Sequence, residues 1–190
     1  MNPALAAPSA FALTRSRLKL LLLLAIVIGP MLLAYAMYHG QFWVPQDRTY
    51  HGELLGDGTQ REALGVDSEE SRWQLLVTSP TTCEQDCQAL VHQARQIQIA
   101  LNREALRVTH ALATTTPVDA AYQQTLTREY PQLGQYSLDV SRYQASGQPL
   151  MPSLWIIDPL GYVVLRYDLS HNGRNILKDL QLLLKLSRIG

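Results

Sequence analysis

The chain has 190 residues, 47% hydrophobic and 17% charged, which excludes wholesale disorder, since disordered chains are poor in apolar and rich in charged side chains. Sixteen basic residues offset sixteen acidic ones, so the basic footprint of an electrostatic nucleic-acid binder is missing and nucleic acid drops out as a partner. The charges are unevenly placed: residues 1–38 carry Arg15, Arg17 and Lys19 and no acid, an asymmetry that points to a membrane.

Residues 1–19 read as a cytoplasmic N-terminal segment and residues 20–38, LLLLLAIVIGPMLLAYAMY, as a single transmembrane helix. At about 1.5 Å per residue the uncharged run reaches roughly 28 Å, close to the hydrocarbon thickness of a bilayer. A core helix would keep a polar face, and this run has none. A secretory signal peptide cut after Ala34-Tyr35-Ala36 competes with an uncleaved anchor, but MLLAYA is more apolar than a usual cleavage region. Basic residues precede the span and Asp47, Glu53 and Asp57 follow it. The expected topology therefore has the N-terminus in the cytoplasm, one pass through the inner membrane, and the remaining chain in an oxidising periplasm. Tyr35, Tyr38 and Trp43 are expected at the far interface, with His39 and His51 flanking it.

Residues 39–71 are rich in Gly and acids without sustained periodicity and read as a linker with at most one edge hairpin. Residues 73–78 (WQLLVT) form a short apolar run expected to be a strand buried on both faces. From 83 to about 104, Cys87, Leu90, Val91, Ala94, Ile97 and Leu101 recur at three and four residues, one face of an amphipathic helix capped by Thr81 or Thr82. Residues 106–113 alternate as a second strand, 119–130 read as a helix ended by Pro131, and 136–140 as a short strand or loop. Residues 153–158 and 162–167 are β-rich runs around Pro159-Leu160-Gly161, a hairpin signal, and 175–187 close the chain as a helix. Several α/β layouts share this order. With a Cys pair opening the first helix and Met151-Pro152 leading into the hairpin, residues 72–190 predict an α/β thioredoxin-like domain, a central mixed sheet flanked by helices.

The chain has two cysteines, Cys83 and Cys87, in CEQDC. As a plain structural bridge the pair closes a loop of about five residues and removes only about 2 kcal/mol of unfolded-chain entropy. At a helix N-terminus, unpaired N–H groups and partial positive charge stabilise a thiolate. If both positions are helical their Cα atoms lie about 6 Å apart, within disulfide range, and the two sulfurs suit copper(I) among metals. The charges of Glu84 and Asp86 oppose thiolate formation and favour a bound cation. No GxSxG, HExxH or P-loop is present. His92 and His110 lack zinc-like spacing, His171 reads as a solvated turn residue, and Trp73 and Trp155 as core.

The anchor, the strand before Cys83-Glu84-Gln85-Asp86-Cys87, the apolar helix after it and the LWIIDPLGYVVLRYD hairpin together resemble the Sco/SenC/PrrC family. These are membrane-anchored, thioredoxin-like factors that assist assembly of the binuclear copper centre of cytochrome c oxidase. The resemblance covers roughly residues 72–188 in element order and is specific at the CxxxC pair and the hairpin. It implies that Cys83 and Cys87 deliver copper(I) to the copper-bearing subunit of cytochrome c oxidase, or keep reduced the thiols of that subunit or of another protein, beside membrane lipid. One departure stands out. The family's third copper ligand is a His shortly before the hairpin, where this sequence reads GQPLMPS. Met151 offers a soft thioether nearby, but Met151-Pro152 also matches the cis-proline turn beside the Cys pair in thioredoxin-like proteins. That second reading makes Pro152 the residue that shapes a groove for a thiol partner. Two alternatives stay open: a general periplasmic thiol:disulfide oxidoreductase, in which Cys83 attacks and Cys87 resolves, and a non-catalytic membrane protein with a structural disulfide.

Overall fold

The structure, a computed structural model, describes residues 10–40, 50–56 and 58–187, with side chains only for 17–36 in the first stretch. It divides into two units, Met1–Arg48 and Thr49–Gly190. In the first, the described residues form one helix, α1 (Ala10–Gly40), which starts ahead of the predicted span and runs through Pro30. Its segment Arg17–Ala36 is, among the described residues, the one helix long and apolar enough to cross a membrane. Leu20 to Leu24, Ile26, Met31 and Leu33 are all exposed, as a lipid-facing helix requires. The expected interfacial positions of Tyr38, His39 and Trp43 lie outside the described side chains.

The second unit holds one six-stranded sheet. In chain order its strands are β1 (Glu53–Leu54), β2 (Trp73–Ser79), β3 (Val108–Thr114), β4 (Gly134–Ser137), β5 (Ser153–Ile157) and β6 (Val163–Tyr167). The helices are α2 (Gln85–Ala100), α3 (Ala120–Glu129), α4 (Val140–Ala145) and α5 (Gly173–Leu186). Across the sheet the order is β1-β6-β5-β2-β3-β4. β3 pairs in parallel with β2 and β4, whereas β5 pairs antiparallel with β2 and β6, and β1 antiparallel with β6. This is the mixed sheet read from the element order.

Every residue of β2 is buried, because both faces of this central strand are covered. Leu75 and Val77 join Leu112, Leu154, Ile156 and Leu165 beneath α2 and α5. Leu76 turns to the opposite face with Ala111, Tyr143, Trp155 and Ile157. The hairpin turns as predicted: Asp158 Oδ1 accepts from the N–H groups of Leu160 (2.9 Å) and Tyr162 (2.8 Å), and Gly161 takes φ 88. Only glycine adopts that left-handed conformation without strain.

The linker expectation fails from Tyr50 onward. Glu53 and Leu54 extend the sheet by pairing with Arg166 and Leu165 of β6, so the strand's partner lies far along the chain and not in a local hairpin. A 3₁₀ turn, Arg61–Leu64, then ends at Gly65, whose φ of 75 is left-handed. A Cβ at that glycine would sit 2.3 Å from the Asp139 carbonyl oxygen, and the Asp139 N–H donates to the Gly65 carbonyl at 2.8 Å. Leu64 and Val66 are thereby buried against the second face of the sheet. His51 is exposed and tied to the last helix. Its Nδ1 lies 2.8 Å from Oδ1 of Asp179, a carboxylate only 2% exposed, which also accepts from the His51 N–H (2.7 Å) and the Tyr167 hydroxyl (2.8 Å).

His110 lies on β3, 3% exposed, with neither ring nitrogen hydrogen-bonded. Burial, reinforced by the positive charge of Arg95, pushes its pKa down to about 4. Because the folded value lies below the unfolded one, the stability is fully present above pH 6.5 and is lost as pH falls from 6.5 towards 4. After allowance for solvent screening this amounts to roughly 2 kcal/mol. Melting temperatures measured from pH 7 to 4 are expected to fall more steeply for the natural chain than for His110→Leu; parallel profiles would remove His110 as the cause.

Candidate functional site: a disulfide at the rim of an acidic depression

β2 and β3 run in parallel and end together at Ser79 and Thr114, which are register partners. The turns that follow are stitched to each other: the Thr115 hydroxyl donates to the Pro80 carbonyl (3.2 Å), and the Thr115 N–H to that of Ser79 (3.4 Å). The beginnings of α2 and α3 therefore open at one edge of the sheet, the edge beyond the strand C-termini where ligands of open α/β sheets bind.

Cys83 and Cys87 are joined by a disulfide, with Cα atoms 5.1 Å apart. The two are not both helical as expected. Glu84 is the extended N-cap residue, so Cys83 precedes the helix and Cys87 lies in its first turn. The predicted Thr81 or Thr82 cap is also absent: the Glu84 N–H donates to the Thr82 carbonyl (3.0 Å), and the Thr82 hydroxyl donates to the Glu84 carboxylate (3.3 Å). The backbone turn satisfies groups that a side-chain cap would otherwise serve. Both residues belong to the buried core cluster, Cys83 9% exposed and Cys87 fully buried.

The pair opens on a depression of about 950 Å³, which Pro152 lines as well. Pro152 is brought there by β5, whose Ser153 stands beside Thr78 at the end of β2. The loop before it is braced from the far face of the sheet, where Tyr143 donates to the Pro149 carbonyl (3.2 Å) and Trp155 Nε1 donates to the Thr78 hydroxyl (2.8 Å). The cis-proline expectation is corrected: among the described residues no peptide bond is cis. X–Pro bonds prefer trans by about 0.5–1 kcal/mol, and the trans bond leads Pro152 straight into β5. Met151 is 51% exposed and is not among the residues lining the depression.

Asp119 also lines the depression. It caps α3 by accepting from the Ala121 N–H at 3.0 Å, and only the parallel β2–β3 pairing brings it to the Cys pair. Among the described residues no cation lines the depression, where Glu84, Asp86 and Asp119 supply three carboxylates. Among the described residues no group of three His, Cys, Asp or Glu side chains could hold a metal ion. His171 is a turn residue, as expected, bonded to Asp168 (2.8 Å) and edge-on to the Tyr167 ring. Tyr122 has a buried hydroxyl without a partner, and burial pushes its pKa up.

Residues 73–187 match the family described as transmembrane-like, thioredoxin-like, C-terminal domain, and residues 14–41 match the transmembrane-like N-terminal domain. The chain belongs to this transmembrane-like, thioredoxin-like family. Its N-terminal region is accordingly a transmembrane-like anchor of one helix. No curated protein sequence matches the chain. Yeast Sco1 shares the fold at a TM-score of 0.50 and 9% identity, over 64% of this chain and 85% of that one. Arabidopsis thaliana ScoI, solved with copper bound, gives 0.48 and 13% over 67% and 89%. The thioredoxin domain of a thiol-disulfide oxidoreductase from Bacteroides vulgatus gives 0.46 and 12% over 60% and 81%. The likeness to Sco proteins holds at the level of the fold.

Proposed function

We propose that this protein is a Sco-like thiol–disulfide exchange factor, anchored in the inner membrane with its N-terminus in the cytoplasm and its folded domain in the periplasm. Its task is to keep reduced the cysteines of a thiol protein, such as the copper-bearing subunit of cytochrome c oxidase. The observation that supports this reading best is a disulfide that lines a surface depression, with Cys83 keeping the 9% exposure that Cys87 lacks. In the reduced protein the Cys83 thiolate attacks one sulfur of a partner disulfide, and the partner's other sulfur leaves and takes a proton from solvent. Cys87, losing its proton, attacks Cys83 Sγ, releases the partner's first sulfur as a thiolate and closes Cys83–Cys87. Two electrons pass to the partner, and an external dithiol returns the protein to its reduced form. Pro152, on the wall of the depression, shapes the partner's approach.

A second reading, copper(I) as cargo on the two thiolates, is favoured by the acidic surroundings of the pair. The donor set fits it incompletely: among the described residues Cys83 and Cys87 are the only soft donors lining the depression, and copper(I) selects soft ligands. Anaerobic titration of the reduced full-length protein with copper(I) separates the two readings. Exchange predicts no stoichiometric complex and rapid oxidation by a small disulfide; a tight complex lost in Cys83→Ser would overturn exchange in favour of delivery.

A further inference from the structure

Several acids outside the site are paired with arginine. Asp67 and Asp139 share Arg142, Glu70 holds Arg72, Glu104 holds Arg107, and Glu53 holds Arg166. Around the disulfide the pattern reverses. Glu84, Asp86 and Asp119 are exposed, none belongs to an ion pair among the described residues, and no Lys, Arg or His lines the depression beside them. They stand at the N-termini of two helices, α2 and α3, where the dipoles favour acids, and the two N-termini meet at one depression. Asp119 spends one oxygen on the cap of α3, which leaves the other for a partner.

We infer that the thiol partner presents its cysteine beside lysine or arginine residues, and that Glu84, Asp86 and Asp119 select it by charge. This rests on the exchange function proposed above and specifies its substrate class. A cationic segment is drawn to the depression and held while Cys83 reacts, whereas an acidic one is repelled. Electrostatic steering of this kind raises encounter rates by roughly tenfold or more and fades with salt.

The test uses reduced full-length protein in neutral detergent and single-cysteine peptides joined by a disulfide to 2-mercaptoethanol, with the cysteine flanked by two Lys, two Gln or two Glu. In each reaction Cys83 attacks the peptide sulfur and mercaptoethanol leaves; Cys87 then displaces the peptide as a thiol and the protein disulfide closes. The released peptide is followed by mass spectrometry. Each rate is divided by that of the same peptide with dithiothreitol, an uncharged thiol, to remove intrinsic reactivity. The Lys-flanked peptide is expected to react roughly tenfold faster than the Glu-flanked one at low ionic strength. The difference should collapse in 1 M salt, where the Debye length is about 3 Å. It should also disappear in the triple variant Glu84→Gln/Asp86→Asn/Asp119→Asn, whose asparagine in place of Asp119 keeps the cap of α3. Equal rates for all three peptides would overturn the charge selection and leave exchange standing. A preference that survives in the triple variant would remove these residues as its cause. Failure of every peptide to react would overturn exchange itself, and the inference with it.

Discussion

Cys87→Ser in the full-length protein is expected to accumulate a mixed disulfide between Cys83 and its partner, close to one per chain, whereas Cys83→Ser accumulates none and exchanges at the uncatalysed background rate. The difference follows from access. Both cysteines line the depression, but Cys83 keeps 9% exposure and Cys87 none, so an incoming sulfur reaches the first, and the second is needed only to release it. Mass spectrometry after mixing with a partner peptide disulfide reads the adduct directly. A structural bridge gives another result: both variants would behave alike, form no adduct, and melt about 6 °C lower, the effect of losing about 2 kcal/mol from a short loop.

Asp179→Ala is expected to be the more damaging change for folding, costing about 3 kcal/mol and lowering the melting temperature by about 10 °C. The carboxylate is 2% exposed and accepts from the N–H and Nδ1 of His51, the N–H of Gly52 and the hydroxyl of Tyr167. Alanine leaves these donors facing one another without an acceptor. Tyr167→Phe removes only one of the bonds and should cost about 1 kcal/mol. Burial, with the Asp179 hydrogen bond and charge, pushes the Tyr167 phenol up, so its hydroxyl stays a neutral donor at ordinary pH. Circular-dichroism melts in detergent check the order; equal losses for the two variants would mean that Asp179 acts only through Tyr167.

What can be read in advance follows from the range of each interaction. β2, α2, β3, the β5–β6 hairpin and α5 carry their own periodicity or turn chemistry and are legible within a few residues. The buried turn around Leu64 and Val66 is not, because its apolar side chains are few and their burial depends on Asp139 and Trp155, distant in sequence. β1 is two residues long and exists only by pairing with β6. α4 is a single short helix whose one buried residue, Tyr143, gives no period to detect. At the site the cysteine spacing and Pro152 are local signals, and the depression includes both. Asp119 reads in the sequence as the start of a helix and nothing more, since its approach to Cys83 is made by the crossover from β2 to β3. The Thr cap is a preference of residue type, which the backbone turn at Thr82–Glu84 overrides, and the cis proline is expected by likeness to thioredoxin-like proteins, which this backbone does not follow.

The docking of residues 50–66 bears on where the soluble part of this protein can be cut. A recombinant fragment beginning near residue 73, where the family match starts, would strip β6 of its neighbour and uncover Leu76, Trp155 and Val163 on the second face. An unpaired edge beside bare apolar surface invites self-association. A fragment beginning at Thr49 keeps both the edge partner and the Asp179 clasp, so that is the boundary for work in solution.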